Sequence, residues 1–297
     1  MALDRLDLSV PVRRIGLGLA AVGRPGYINL GRDRDLPPDR TVEALRRRSH
    51  DLLDAAYAAG LRYVDVARSY GRAEEFVAGW LDGHEDVVVG SKWGYTYVAG
   101  WRVDATVHET KDHSPATFER QLAETRGLLG ARLDVYHIHS VTPESPALTD
   151  RALHHRLAEL AAEGVTIGLS TSGPHQADAI HRALPIEVDG TPLFRSIQAT
   201  WNPLEPSAGP ALAAAHAEGC HVIVKEVLAN GRLADRDAET IAAALRQPWA
   251  STVLSGAATA AQLAANLAAL DVTADPAPVT PEPPEVYWQR RAALAWS

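Results

Sequence analysis

Eight short runs rich in apolar and β-branched residues alternate, one for one, with eight runs of helical spacing, and nothing else in the chain constrains the fold as tightly. The strand-like runs are residues 14–18, 63–67, 87–92, 134–140, 166–170, 196–201, 221–227 and 252–256. The helical runs are 41–59, 73–81, 115–129, 150–162, 174–184, 209–218, 238–245 and 259–270. Val87-Val88-Val89 and Val222-Ile223-Val224 are apolar without a break, the pattern of strands covered on both faces. Eight such units in 297 residues predict one α/β domain over residues 1–297, a (β/α)8 TIM barrel, a fold that takes about 250 residues. Three segments lie outside the repeat. Residues 1–13 are expected to supply a hairpin, over 6–12, that closes the barrel bottom. Residues 22–39 form a long first βα loop. The tail, 274–297, is proline-rich at its start and carries Tyr287, Trp288 and Trp296, too apolar a set to stay in water, so it is expected to pack on the barrel.

Charge and cysteine content narrow the partners. Hydrophobic residues are 46% and charged residues 22%, as in a soluble globular protein. The formal charge is −8, and no basic run is longer than Arg46-Arg47-Arg48 on a helical segment, which argues against nucleic acid and membrane surfaces as partners. The single cysteine, Cys220, excludes an intramolecular disulfide and a cysteine metal cluster. The first residues lack the apolar stretch of a signal peptide, and no run of about 18 apolar residues exists, so a cytoplasmic protein acting on a small molecule is expected. Oligomeric state is left open.

In such barrels the chemistry sits where strands end. Run 63–67 leads through Asp65 to Tyr70, run 87–92 ends at Lys92, and run 134–140 carries His139. A lysine at a barrel mouth needs a partner, and Asp65 on the neighbouring strand is placed to be one. A cation beside a phenol stabilises the phenolate, which would let Tyr70 exchange a proton near neutral pH. The four together suit protonation of a carbonyl while another group supplies hydride.

Two other motifs compete. Gly16-Leu17-Gly18-Leu19-Ala20-Ala21 is half of a dinucleotide fingerprint, but Gly23-Arg24-Pro25-Gly26 breaks the helix it needs. His137 and His139 share a strand face and resemble half of a metal clip, as in barrel hydrolases, but the fifth and sixth strands offer no further ligands. No metal is therefore expected.

The stretch Asp65-Val66-Ala67-Arg68-Ser69-Tyr70-Gly71 resembles the second-strand motif of the aldo-keto reductases. Lys92 in Gly-Ser-Lys-Trp and His139 in Tyr136-His137-Ile138-His139 resemble the rest of that family's tetrad. The resemblance runs from about residue 15 to 270. It implies Tyr70 as general acid and base, Asp65 and Lys92 as the pair that tunes it, and His139 as the residue that orients substrate. It further implies a nicotinamide cofactor, NADP(H) ahead of NAD(H), held by Leu19, Ala20, Asp65, Ser170, Thr171, Gln198, Lys225, Val227, Leu228, Asn230, Gly231, Gly256, Ala258, Gln262 and Asn266. The substrate pocket would include Tyr27, Trp93 and His139, with specificity set by the first loop, residues 93–114 and the tail. The implied reaction is reduction of an aldehyde or ketone, or oxidation of an alcohol or sugar hemiacetal. A cofactor-binding regulatory protein of the same fold, with little turnover, is the first alternative, and a metal-dependent barrel hydrolase the second. The sequence departs from the family where Thr171 replaces an asparagine, Lys225 an aromatic ring, and Gly256, Ala258 and Gln262 the cations that often hold a 2′-phosphate.

Overall fold

The computed structural model describes residues 2–30, 34–274 and 277–296; residues 31–33 of the first loop and 275–276 and 297 of the tail lie outside the description. The eight expected strands close into one parallel barrel: β1 (Ile15–Gly18), β2 (Tyr63–Asp65), β3 (Val88–Trp93), β4 (Val135–Val141), β5 (Thr166–Thr171), β6 (Ser196–Thr200), β7 (His221–Lys225) and β8 (Thr252–Ser255), which returns to β1. Each is followed by a helix: α1 (Val42–Ala58), α2 (Ala73–Ala78), α3 (Pro115–Leu129), α4 (Arg151–Ala162), α5 (Gln176–Ala183), α6 (Gly209–Ala217), α7 (Asp237–Leu245) and α8 (Ala260–Leu267). The helices start where local chemistry says they should. Thr41, Ser114, Asp150 and Thr259 cap α1, α3, α4 and α8 by accepting a backbone N–H three residues on, and Pro115 opens α3, where its missing N–H does no harm.

Register sets what faces inward. Asp65 pairs with Gly18 on one side and Gly90 on the other, and Lys92 pairs with His137. Alternate residues point into the barrel, so Val88, Gly90 and Lys92 rise along β3 beside Val135, His137 and His139 on β4. The bottom is thereby apolar and the mouth polar. Leu3 and Leu6 plug the bottom against Tyr63, Val88, Val135, Ile223 and Leu254. The hairpin expected over residues 6–12 is absent. The segment instead holds short 3-10 turns at Ala2–Arg5 and Pro11–Arg14, because Pro11 lacks the N–H that a ladder needs and pre-sets a helical φ.

Two antiparallel pairs were not anticipated, Tyr95–Tyr97 with Glu109–Lys111 and Glu187–Val188 with Thr191–Pro192. The tail packs on the barrel as expected, through a helix, α9 (Pro284–Ala292), whose Tyr287 and Trp288 are buried with Ala229 and Leu233. Among the described residues, no helix is long and apolar enough to cross a membrane.

Candidate active site

Asp65, Tyr70, Lys92 and His139 converge at the barrel mouth. Lys92, fully buried, donates to Asp65 Oδ1, to Val66 O at 3.0 Å and to Tyr70 Oη at 3.4 Å. Gln198 Nε2 donates to the other Asp65 oxygen at 2.8 Å, so the carboxylate is satisfied at both ends. The His139 ring stands edge-on to Tyr70, with centroids 5.6 Å apart, and edge-on to Tyr95 at 5.0 Å. Burial holds the His139 imidazole far below the usual histidine range, and the Lys92 charge adds to this, so the ring is neutral at pH 7. Burial, reinforced by the Asp65 carboxylate, pushes the Tyr70 phenol well above the ordinary tyrosine value; the Arg24 guanidinium pulls the other way. This corrects the expectation that Lys92 frees the phenol of its proton near neutrality. Lys92 is shared between the Asp65 carboxylate and the Tyr70 oxygen, and Tyr70 carries its proton.

His139 is held by a bulge. Ladder register slips between Ile138 and Val141, and Ser140 adopts φ +55°. The bulge leaves main-chain groups to be satisfied by side chains. His113 Nε2 donates to His139 O at 2.8 Å, Lys111 Nζ donates to Ser140 O at 2.8 Å, and Ser140 N–H donates to Ser170 Oγ at 2.8 Å. Two of these three partners come from the segment that follows the unexpected hairpin strand or lies in it.

A cleft of about 600 Å3, lined at this end by Asp65, Tyr70 and His139 with Lys92 buried behind them, runs across the mouth to α8. Of the residues expected to hold cofactor, Ala20, Asp65, Gln198, Lys225, Val227, Leu228, Asn230, Gly231, Gly256, Gln262 and Asn266 line it. Four do not. Leu19 is buried among the apolar core residues, and Ala258 is buried with its N–H donating to Gln262 Oε1. Ser170 is spent on the bulge and Thr171 Oγ1 donates to Gln176 Oε1, while Ser172 faces the cleft instead. Trp93, expected in the substrate pocket, is fully buried against Phe118 and His113 outside the cleft, because it follows an inward-facing Lys92 and so points outward. Tyr27 does line the cleft.

Sequence reading missed a set of charges at the same end. Arg24, Glu109, Glu226 and Arg291 line the cleft with Tyr95 and Trp296. Glu226 accepts from Arg291 Nε at 2.8 Å and Nη2 at 2.5 Å, and lies 3.6 Å from Lys225 Nζ. These cations hold its carboxyl down at about 2 in spite of burial. Glu226 was read as strand; its φ of +54° ends β7 one residue earlier. His137, the second half of the supposed metal clip, bonds to Ser196 Oγ at 2.9 Å deeper in the barrel. Among the described residues, no group of three or more His, Cys, Asp or Glu is arranged to hold a metal.

The residues present suit a nicotinamide group. Gln198 Oε1 is buried with no hydrogen-bond partner, facing the cleft beside Asp65, where a carboxamide N–H could donate to it. Asn230 Oδ1 is a second buried acceptor without a partner. Residues 14–269 match the model of the Aldo/keto reductase family. The chain belongs to that family. Aldo-keto reductase str7 from Strobilurus tenacellus is 30% identical over 203 residues, 64% of this chain and 55% of its own length, so the chain spans little more than half of that relative. A Pseudomonas aeruginosa protein assigned to the aldo-keto reductases is 25% identical, with a TM-score of 0.66 over 89% of this chain and 92% of that one. The holo form of aldo-keto reductase AKR11C1 from Bacillus halodurans shares the fold at 20% identity, with a TM-score of 0.64 over 94% and 91% of the two chains.

Proposed function

We propose that this aldo-keto reductase uses NADP(H) or NAD(H) to reduce the carbonyl of a small aldehyde, ketone or open-chain sugar, or to oxidise the matching alcohol, with Tyr70 moving the proton. The observation that carries the reading is the single contact set Asp65–Lys92–Tyr70–His139 at the head of a cleft whose lining includes Gln198, with its buried, unpartnered oxygen. A nicotinamide bound there supplies or accepts hydride. Gln198, tied to Asp65, would hold the carboxamide; Val227, Leu228, Asn230 and Gly231 would hold the central phosphates; Gly256, Gln262 and Asn266 would hold the adenosine end.

The chain's own groups then divide the proton work. A protonated Tyr70 donates to the oxygen of the carbonyl, and neutral His139 offers a ring N–H that orients the same oxygen. Lys92 stabilises the phenolate left behind. Its charge persists because Asp65 offsets the desolvation that draws a buried ammonium down. Preference between the cofactors is narrow in this reading. Gly256 and Gln262 bring no cation, and Asp237 lies at the same end of the cleft, 3.3 Å from Asn266 once that amide is turned to accept from Ser255 Oγ.

Tyr70→Phe tests the proposal, because it keeps the ring and removes the donor. The expected loss is about 10²–10⁴-fold in kcat, with cofactor affinity, read by quenching of tryptophan fluorescence, unchanged. Activity within a few-fold of wild type would remove Tyr70 from the chemistry.

A further inference from the structure

The turn after β1 brings a second cation against Tyr70. Gly71 lies at φ +61°, and a Cβ there would sit 2.5 Å from Gly23 O and 2.7 Å from Arg24 Cβ, so only glycine lets the two segments cross. Arg72 N–H donates to Gly23 O at 2.8 Å and locks the crossing. Arg24 is thereby placed beside Tyr70 with 2% exposure. Its Nη1 donates to Ser69 O at 2.8 Å and to Glu109 Oε1 at 2.5 Å. Its guanidinium carbon lies 5.2 Å from the centre of the Tyr70 ring, comparable to Lys92 Nζ at 4.9 Å, and it also stacks on Tyr27 and Trp296.

We propose that Arg24 is a positioning residue for Tyr70, holding the ring by cation–π contact and steadying, as a second fixed positive charge, the phenolate left when the proton departs. The proposal rests on the reading of Tyr70 as proton donor. The only bond broken on the protein is the Tyr70 O–H; its proton passes to the substrate oxygen, which takes up the carbonyl π electron pair when hydride from a nicotinamide would add to the carbonyl carbon.

The charges that face Tyr70 come from every neighbouring element. Lys92 on β3 is matched by Asp65 on β2, and His139 on β4 is neutral. Glu109 from the hairpin and Glu226 after β7 oppose ionisation of the phenol, as does burial itself, and Tyr27 from the first loop keeps its own proton. Arg24 acts against these, and Glu109 partly masks Arg24. The pair therefore makes opposite demands: removing the cation should hinder ionisation of Tyr70, and removing its carboxylate partner should ease it.

The test is the pH profile of kcat/KM for reduction of para-nitrobenzaldehyde by NADPH, together with ultraviolet titration of Tyr70 itself, read as the difference between each protein and its Tyr70→Phe counterpart. The second measurement needs no substrate. Arg24→Met should move the alkaline break and the phenol titration upward by about half to one pH unit. Arg24→Lys should restore part of the shift, and Glu109→Gln should move both downward. A uniform loss of rate in Arg24→Met with the break unmoved would overturn the proposal, as would Glu109→Gln shifting in the same direction as Arg24→Met. Should Arg24→Met fail to fold, Arg24→Gln, which keeps a hydrogen-bond donor for Ser69 O but no charge, carries the same test, and an unmoved break there overturns the proposal. If Tyr70→Phe keeps both rate and break, the assignment of Tyr70 falls; if the break vanishes there but is unmoved in the Arg24 variants, only the role of Arg24 falls.

Discussion

The two ends of the cleft are built on different principles. At the barrel mouth charges are matched pair by pair: buried Lys92 with buried Asp65, buried Arg24 with half-buried Glu109, and half-buried Arg291 with half-buried Glu226. At the α8 end the lining is glycine, alanine, amides and the Asp237 carboxylate, and the Gln262 side chain is folded back onto the N–H of Ala258. A dense charge network fixes atoms to a fraction of an ångström but is brittle, since one missing partner leaves the other uncompensated. An amide-and-backbone surface is looser, tolerates replacement, and discriminates weakly. Under the proposed function, the contrast teaches that precision is concentrated where a proton would move and is relaxed where a cofactor would only be gripped.

The contrast can be broken most severely at Lys92. Lys92→Met keeps the apolar stem and leaves Asp65 buried without its cation. The expected outcome is loss of about 3–5 kcal/mol of stability, read from urea midpoints, together with loss of activity. A variant with wild-type stability and rate would show that the pair is not essential to either.

A smaller effect is expected at Glu226, and there pH provides the handle. Its carboxyl is lowered from 4.5 to about 2 in the folded chain. A depressed carboxylate contributes stability that is present above the unfolded value and is lost as pH falls through the folded one. Wild type should therefore weaken between about pH 4.5 and 2 by on the order of 3 kcal/mol from this group. Arg291→Met should be less stable at pH 7 and should lose less over the same interval, as measured by denaturant melts at stepped pH. Parallel wild-type and variant curves would mean that Arg291 is not what holds the carboxyl down.

The smallest effect should appear at the adenosine end. Wild-type selectivity between NADPH and NADH is expected within roughly 10–100-fold, and Gln262→Arg should shift it about tenfold toward NADPH, because arginine can bond phosphate oxygens bidentately. Titration of both cofactors by fluorescence quenching decides this. A wild-type preference above about a thousandfold, or no response to the substitution, would show that the phosphate is held by other groups.

What could be read from the sequence follows from this division. Asp65, Lys92 and His139 were legible because each ends an apolar strand, so local pattern alone puts it at the mouth. The barrel was legible for the same reason, repeated eight times. Arg24, Glu109 and Arg291 were not, since each owes its place to a partner distant in sequence and no local pattern marks it. Gly23-Arg24-Pro25-Gly26 was read only as a helix breaker, although an arginine fixed in so tight a turn was a signal of a defined position. The strand Glu109–Lys111 was too short for its alternation to stand out, and Glu226 was hidden in a run whose preceding valines suggested that the strand continued. Leu19, Ser170, Thr171, Ala258 and Trp93 lie outside the cleft lining, which the motifs alone do not reveal. A motif fixes which residues are adjacent, whereas a side chain's face depends on strand parity and on the bulge in β4.

The meeting of Tyr27 and Trp296, ring edge to ring face with centroids 6.3 Å apart, bears on how the molecule assembles. These residues lie near opposite ends of the sequence, so their contact closes almost the largest loop the chain can form. Loop-closure entropy grows with that span, and contacts of this kind form late. Seven of the strand pairings join neighbours in the sequence, but the eighth, β8 with β1, brings Ile15 to Val253 and spans nearly as much chain as Tyr27 to Trp296. Closing the barrel and finishing the wall of the pocket are thus steps of the same long range, and a polypeptide with full secondary structure is not yet one with a finished binding site.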